Sequence, residues 1–264
     1  MGTVLKLLAA VGALVLSLGS ADAGTTGVLL LHGKTGMPSQ MMALAGALKS
    51  AGYIVGRPEM CWSKRRIYDH DLSGCLADID SAIGRLKGEG ATSVVLGGTS
   101  LGAMAALTYA ATHDNLIGVV AIVPASDPLD PAPFPAFAAS LKKARDLIKA
   151  GKGDEPTALT DIVTGGTDVA LNVSPALFES FHGPDSPMST VVNGLEKFAL
   201  PKIRVPVLWV AGTRDPSQSI APEAFTKIPA NPLSKFVRID ADHAGASDAA
   251  GPAVTAWLAT LGGP

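Results

Sequence analysis

Short runs of Val, Ile and Leu recur along this chain, and the stretches between them carry apolar residues at helical spacing; no other feature restricts the fold as strongly. Val28–Leu31, Tyr53–Val55, Ser93–Leu96, Val119–Val123, Val205–Val210 and Phe236–Ile239 read as strands, most of them continuously apolar, as strands buried on both faces are. Ser39–Ser50, Leu72–Lys87, Leu101–His113 and Asp248–Leu261 have the length and periodicity of helices, with Ser39 and Asp71 placed as N-caps. This alternation specifies an α/β fold, a mainly parallel sheet of about six strands with helices on both faces.

Asp127–Leu200 breaks the rhythm. Pro128, Pro131, Pro133 and Pro135 open it, and the amphipathic run Phe137–Ala150 follows. We expect a helical cap insertion lying over the carboxyl end of the sheet and shaping a pocket. Its apolar residues either line that pocket, the preferred reading, or face a second subunit; the oligomeric state is left open. The chain is 264 residues long, and residues 24–264 suffice for one such domain.

Ahead of that domain stand Lys6, an apolar run Leu7–Leu18, and the small-residue segment Gly19-Ser20-Ala21-Asp22-Ala23. Residues 1–23 are expected to be a signal peptide, the alternative being an N-terminal helix that is kept. The run is shorter than the roughly 20 apolar residues that cross a bilayer, so no stable membrane anchor is expected. Export to the periplasm or beyond would let Cys61 and Cys75 pair, adding roughly 3 kcal/mol in the chain-entropy account; two buried free thiols are the alternative.

Charged residues make up 17% of the chain, the net charge is −2, and no Lys/Arg run is interleaved with aromatics, which argues against a nucleic-acid partner. No spacing of His, Cys and carboxylates suits a metal, and no dinucleotide fingerprint occurs, so no cofactor is expected and the partner is a small-molecule substrate. Gly33-Lys34-Thr35 imitates the end of a phosphate-binding loop, but the Gly required five positions earlier is Val28, inside a strand.

Gly98-Thr99-Ser100-Leu101-Gly102 directly follows one strand and directly precedes an alanine-rich helix. A turn that sharp strains its central residue and lifts the Ser100 hydroxyl above the sheet edge, while the Leu101 amide faces any negative charge developing there. A serine hydroxyl needs a base. His243 lies in the polar loop Asp240–Gly245 between the last strand and last helix, where this arrangement needs one, whereas His32, His70, His113 and His182 are given surface or supporting roles. Asp215 closes the strand before that loop and is the candidate acid, with Asp127 as runner-up and Asp242 behind it.

These segments resemble the α/β-hydrolase superfamily: His32-Gly33 after an early strand, the Gly98–Gly102 elbow, the Gly212–Asp215 turn, the His243 loop, and the chain order Ser, Asp, His. The resemblance covers nearly all of the chain after the leader except the insertion, although the family's leading antiparallel hairpin is missing. It implies a Ser100–His243–Asp215 triad and an oxyanion hole formed by the Lys34 and Leu101 amides. The activity implied is a serine hydrolase cleaving an ester-like bond through an acyl-enzyme. Peptide or thioester substrates for the same triad, or a catalytically silent binding protein on the same fold, are the alternatives. Trp62 and Arg65, in the loop Cys61–Arg66, are expected at the pocket rim, Trp62 against substrate and Arg65 near a carboxylate, unless the loop is simply a solvated basic surface.

Overall fold

The computed structural model describes residues 25–125, 133–163, 167–186, 188 and 200–264. The expected leader and Asp127 lie outside these residues. Six strands, β1 (Thr26–Leu31), β2 (Ile54–Gly56), β3 (Ser93–Thr99), β4 (Gly118–Ile122), β7 (Val207–Gly212) and β8 (Lys235–Ile239), form one sheet in the order β2-β1-β3-β4-β7-β8. Every pairing in it is parallel, for example Leu29 opposite Leu96 and Ile122 opposite Val210. The chain runs from β1 to β2 in one direction and returns past β1 to β3, so the order reverses between β1 and β3. In open parallel sheets such a reversal opens a crevice beyond the carboxyl ends of the strands.

Strand side chains alternate faces, and here both faces are covered. Val28, Leu30, Val95, Val120 and Val210 point to the core shared with Leu44 and Leu48 of α1 (Met42–Ser50) and with Val254 and Trp257 of the C-terminal helix α8 (Gly251–Leu258). Leu29, Leu31, Leu96 and Trp209 point to the opposite core, built on α2 (Leu72–Gly88) and α3 (Leu101–Ala110). Every residue of α3 is buried.

Three local expectations change. Asp71 caps α2, accepting from the Gly74 amide at 2.8 Å, but Ser39 sits inside a 3-10 turn (Pro38–Met41) and makes no cap bond. After the short α6 (Ala221–Thr226), the last helix is broken into α7 (Ala246–Ala249) and α8, because Pro252 has no N–H to return to the preceding turn, and it ends in a 3-10 turn (Ala259–Leu261). β3 continues through Gly97 and Gly98 to Thr99, whose neighbours in β4 hold the ladder together despite the missing side chains.

The insertion is helical only in part. α4 (Pro135–Lys149) buries Phe137, Ser140, Leu141 and Ala144, a single stripe at helical spacing, against α5 (Pro175–His182), which Ser174 caps. Between them lies an antiparallel hairpin, β5 (Thr157–Val163) and β6 (Thr167–Val173). Its period is two: Leu159 pairs with Leu171 and Asp161 with Val169 on one inward face. The cap is therefore mixed α/β, and this hairpin brings a buried carboxylate toward the sheet.

Candidate active site

Ser100 stands between β3 and α3 with φ 54° and ψ −121°, a region L-residues rarely occupy. Its amide donates to Ile122 O at 3.0 Å, which ties the turn to β4. Two glycines make the turn possible. A Cβ on Gly98 would fall 2.4 Å from the carbonyl carbon of Gly102, and one on Gly102 would fall 2.5 Å from Leu31 O. Leu101 opens α3, where the first amides of a helix have no partner within it.

On the β8 side, His243 and Asp215 meet. His243 Nδ1 lies 2.6 Å from Asp215 Oδ2, and the Asp215 side chain is 1% exposed. This contact sets the tautomer, with Nδ1 donating to the carboxylate and Nε2 left as the proton acceptor. His243 Nε2 is buried and bonds to no described residue, including Ser100. The structure thus joins two of the three expected catalytic residues directly and puts the third at the same carboxyl edge of the sheet.

Two residues absent from the sequence reading complete the surroundings of Asp215. Asp215 Oδ1 accepts from the Ser217 amide at 3.0 Å and the Ser217 hydroxyl at 2.7 Å. Gln218 Nε2 donates to Ser217 Oγ at 3.0 Å and to Pro124 O at 3.2 Å, linking the acid turn to the end of β4. A signal existed in Asp215-Pro216-Ser217, an N-cap residue followed by Pro at the first helical position.

The loop after β1 passes close to Ser100: a Cβ on Gly33 would stand 3.4 Å from Ser100 Cβ. The Gly33 amide donates to Gln40 Oε1 at 2.8 Å, and the Thr35 amide to Trp62 O at 3.0 Å. His32 is fully buried under this loop, its Nε2 accepting from the Met60 amide at 3.0 Å, so Nδ1 carries the proton and donates to Gly33 O at 2.9 Å. Burial holds the His32 pKa below its ordinary value, only partly offset by the Gly33 carbonyl and Glu59. Trp62 is not at the rim: it is 1% exposed and its indole N–H donates to His32 O at 3.0 Å. It supports the loop from beneath and forms part of the wall of a cavity of about 560 Å³ that also touches Thr35, Tyr68 and Leu171 of the cap. Arg65 is 73% exposed beside Glu59, as a solvated basic loop would have it. Cys61 and Cys75 form a disulfide with Cα atoms 5.7 Å apart, fastening the loop after β2 to α2. Lys34 extends its ammonium to Asp161 Oδ1 of the cap, 2.9 Å distant.

Residues 28–256 match the description "Alpha/beta hydrolase family". The chain belongs to this family. A thermostable monoacylglycerol lipase of Bacillus sp. (strain H-257) is 32% identical over 130 residues, 48% of this α/β-hydrolase and 49% of that protein. The match thus spans about half the length of that relative. The monoacylglycerol lipase of Paleococcus ferrophilus superposes with a TM-score of 0.64 at 20% identity, covering 90% of this chain and 96% of that one. Est1E of Butyrivibrio proteoclasticus, solved with ferulic acid, gives 0.60 at 17% identity over 91% of both chains. At these identities the two structures speak to the fold alone. They agree with a six-stranded sheet flanked by helices.

Proposed function

We propose that this α/β-hydrolase is a serine carboxylic-ester hydrolase acting on a small-molecule ester. One observation carries the reading: a half-buried histidine whose Nδ1 is held by Asp215 and whose buried Nε2 bonds to no described residue, at the same sheet edge as a serine in a strained elbow. Ser100 Oγ attacks the ester carbonyl as His243 Nε2 takes its proton. The oxyanion is stabilised by the Lys34 and Leu101 amides. Collapse expels the alcohol, which takes the proton from Nε2 and leaves an acyl ester on Ser100. Water then gives a proton to Nε2 as its oxygen attacks the acyl carbon, and collapse of this second adduct expels Ser100 Oγ, which takes the proton back from Nε2 as the carboxylic acid leaves.

The lipase relative supports an ester over an amide or thioester. Export is part of the same proposal. The Cys61–Cys75 disulfide supports it, since thiols in reducing compartments stay unpaired. The experiment is fluorophosphonate labelling, with hydrolysis of p-nitrophenyl esters measured in parallel. Wild type should label and turn over, and Ser100→Ala and His243→Ala should do neither. A folded wild type inert in both assays sinks the proposal in favour of a binding protein.

A further inference from the structure

We infer that Asp161, on the cap hairpin, is a positioning residue that acts through Lys34 to hold the oxyanion loop in place above Ser100. The inference rests on the ester-hydrolase reading, in which the Lys34 amide is an oxyanion donor.

The Asp161 side chain is 0% exposed, although it belongs to the insertion and not to the sheet. Both of its oxygens are engaged by separate parts of the molecule. Oδ1 accepts from Lys34 Nζ at 2.9 Å and from the Ile162 amide at 2.7 Å. Oδ2 accepts from the Tyr68 hydroxyl at 2.8 Å and lies 3.6 Å from His182 Nε2 of α5. Lys34 Nζ, on a side chain 12% exposed, also donates to Ile162 O at 3.1 Å. One carboxylate thus joins the loop after β1, the loop after β2, the hairpin and α5.

Stability alone is a weak reason for such an arrangement, because desolvating two charges cancels much of their attraction. Geometry is a better one. The backbone is strained where it meets this cluster: Thr35, next to Lys34, has φ 52°, and Ile67 and Tyr68 have φ 51° and 54°. A β-branched residue such as Ile67 is seldom found there, and conformations of this kind persist only where the surroundings over-determine them. Here the surroundings are the Asp161 contacts together with Thr35 N to Trp62 O at 3.0 Å, Tyr68 N to Cys61 O at 2.7 Å, and the Cys61–Cys75 disulfide. Asp161 is the member of this set that comes from the cap. Through it, the docking of the cap and the aim of the Lys34 amide become one equilibrium. Oxyanion stabilisation operates in the transition state and not on bound substrate, so loosening this contact lowers kcat and leaves KM alone.

The test compares Asp161→Asn, Lys34→Met, the double variant and Tyr68→Phe in the full chain, with kcat expressed per active site titrated by fluorophosphonate. Lys34→Met keeps the backbone amide and removes the ammonium that reaches Asp161 and Ile162 O. Each of Asp161→Asn and Lys34→Met should lower kcat roughly 10-fold, short of the 10²–10³ lost when an oxyanion donor is deleted, with KM within about twofold. The double variant should be no worse than the poorer single one, since both remove the same tether. Tyr68→Phe keeps the ring against Phe181, 4.6 Å away, and should show a smaller loss of the same kind; it carries the test if Asp161→Asn does not fold. Unchanged kcat per titrated site with a lower Tm would make the cluster purely structural and overturn the inference. So would a raised KM at unchanged kcat. An unreactive wild type would instead overturn the ester-hydrolase reading beneath it.

Discussion

The carboxyl edge of the sheet and the cap solve the same problem by opposite means. At the sheet edge, position is set by backbone: Ser100 sits where β3, β4 and α3 force it, with Gly98 and Gly102 admitting the approach. In the cap, position is set by side chains, with Asp161 drawing Lys34, Tyr68 and His182 together inside an otherwise apolar interface. Backbone placement tolerates side-chain change at neighbouring positions but no added Cβ at its glycines. Side-chain placement tolerates backbone drift but not the loss of one carboxylate.

The largest expected effect lies at the sheet edge. Asp215→Asn leaves the turn in place but presents an amide to His243, favouring the wrong tautomer, and should lower kcat by about 10⁴-fold. Steady-state kinetics beside a circular-dichroism spectrum checks this; a loss under tenfold in folded protein would shift suspicion to a different acid. Next comes Gly102→Ala, whose Cβ would meet Leu31 O at 2.5 Å and His32 O at 2.6 Å, both backbone atoms that cannot step aside. It should destabilise by about 1–3 kcal/mol in urea unfolding. Gly46→Ala and Gly84→Ala, on helices with nothing within 4 Å of the new methyl, should instead stabilise by about 0.5–1 kcal/mol. If all three moved in the same direction, the backbone account of the sheet edge would fail.

The two regions also differ in how far the sequence reveals them. The elbow, the acid turn and the histidine loop are legible because glycine spacing and chain order constrain backbone, and backbone constraints are local. Most of the six strands are legible because strands covered on both faces are continuously apolar; β8, at the sheet edge, keeps Lys235 and Arg238 exposed and is the exception. The hairpin of the cap is harder to see, though Thr157–Val163 and Thr167–Val173 are rich in Thr and Val and flank Gly165-Gly166. Four nearby prolines and the amphipathic helix beside it suggest a helical cap instead. Asp161 itself looks like a solvent-facing residue of a polar segment, because nothing local announces that Lys34 lies 127 positions away to receive it. Trp62 deceives for a similar reason: a tryptophan beside Lys64, Arg65 and Arg66 suggests a rim, while its indole is buried against His32.

An effect well below that of Asp215→Asn should follow from Ser217→Ala, which removes the 2.7 Å hydroxyl bond to Asp215 Oδ1 and leaves the Ser217 amide bond. A hydrogen bond to a charged group is worth about 1.5–3 kcal/mol, so kcat should fall roughly 10- to 100-fold with KM little changed. The loss sharpens the contrast if it exceeds that of Tyr68→Phe, since it would show that the acid at the sheet edge also needs a side-chain support.

The smallest effect concerns His32, buried beneath the loop after β1 where sheet edge and cap meet. Its neutral form is required, because Nε2 accepts from Met60 N–H and protonation would set donor against donor. Its pKa in the folded protein lies below the ordinary 6.5, chiefly through burial. Between that depressed value and 6.5 the unfolded chain binds more protons than the folded one, so stability rises with pH across the window, is fully present above 6.5 and is lost as pH falls through the window. In His32→Gln this proton-linked contribution disappears. Thermal unfolding followed from pH 7 downward should therefore show a shallower decline of Tm in the variant than in wild type, from a lower starting value because the Met60 and Gly33 contacts are weakened. Parallel declines would mean that His32 does not supply the linkage and that other groups govern acid sensitivity. If ester hydrolysis in wild type also falls faster than unfolding over this range, and that excess is lost in His32→Gln, then the loop above Ser100 loosens before the fold does.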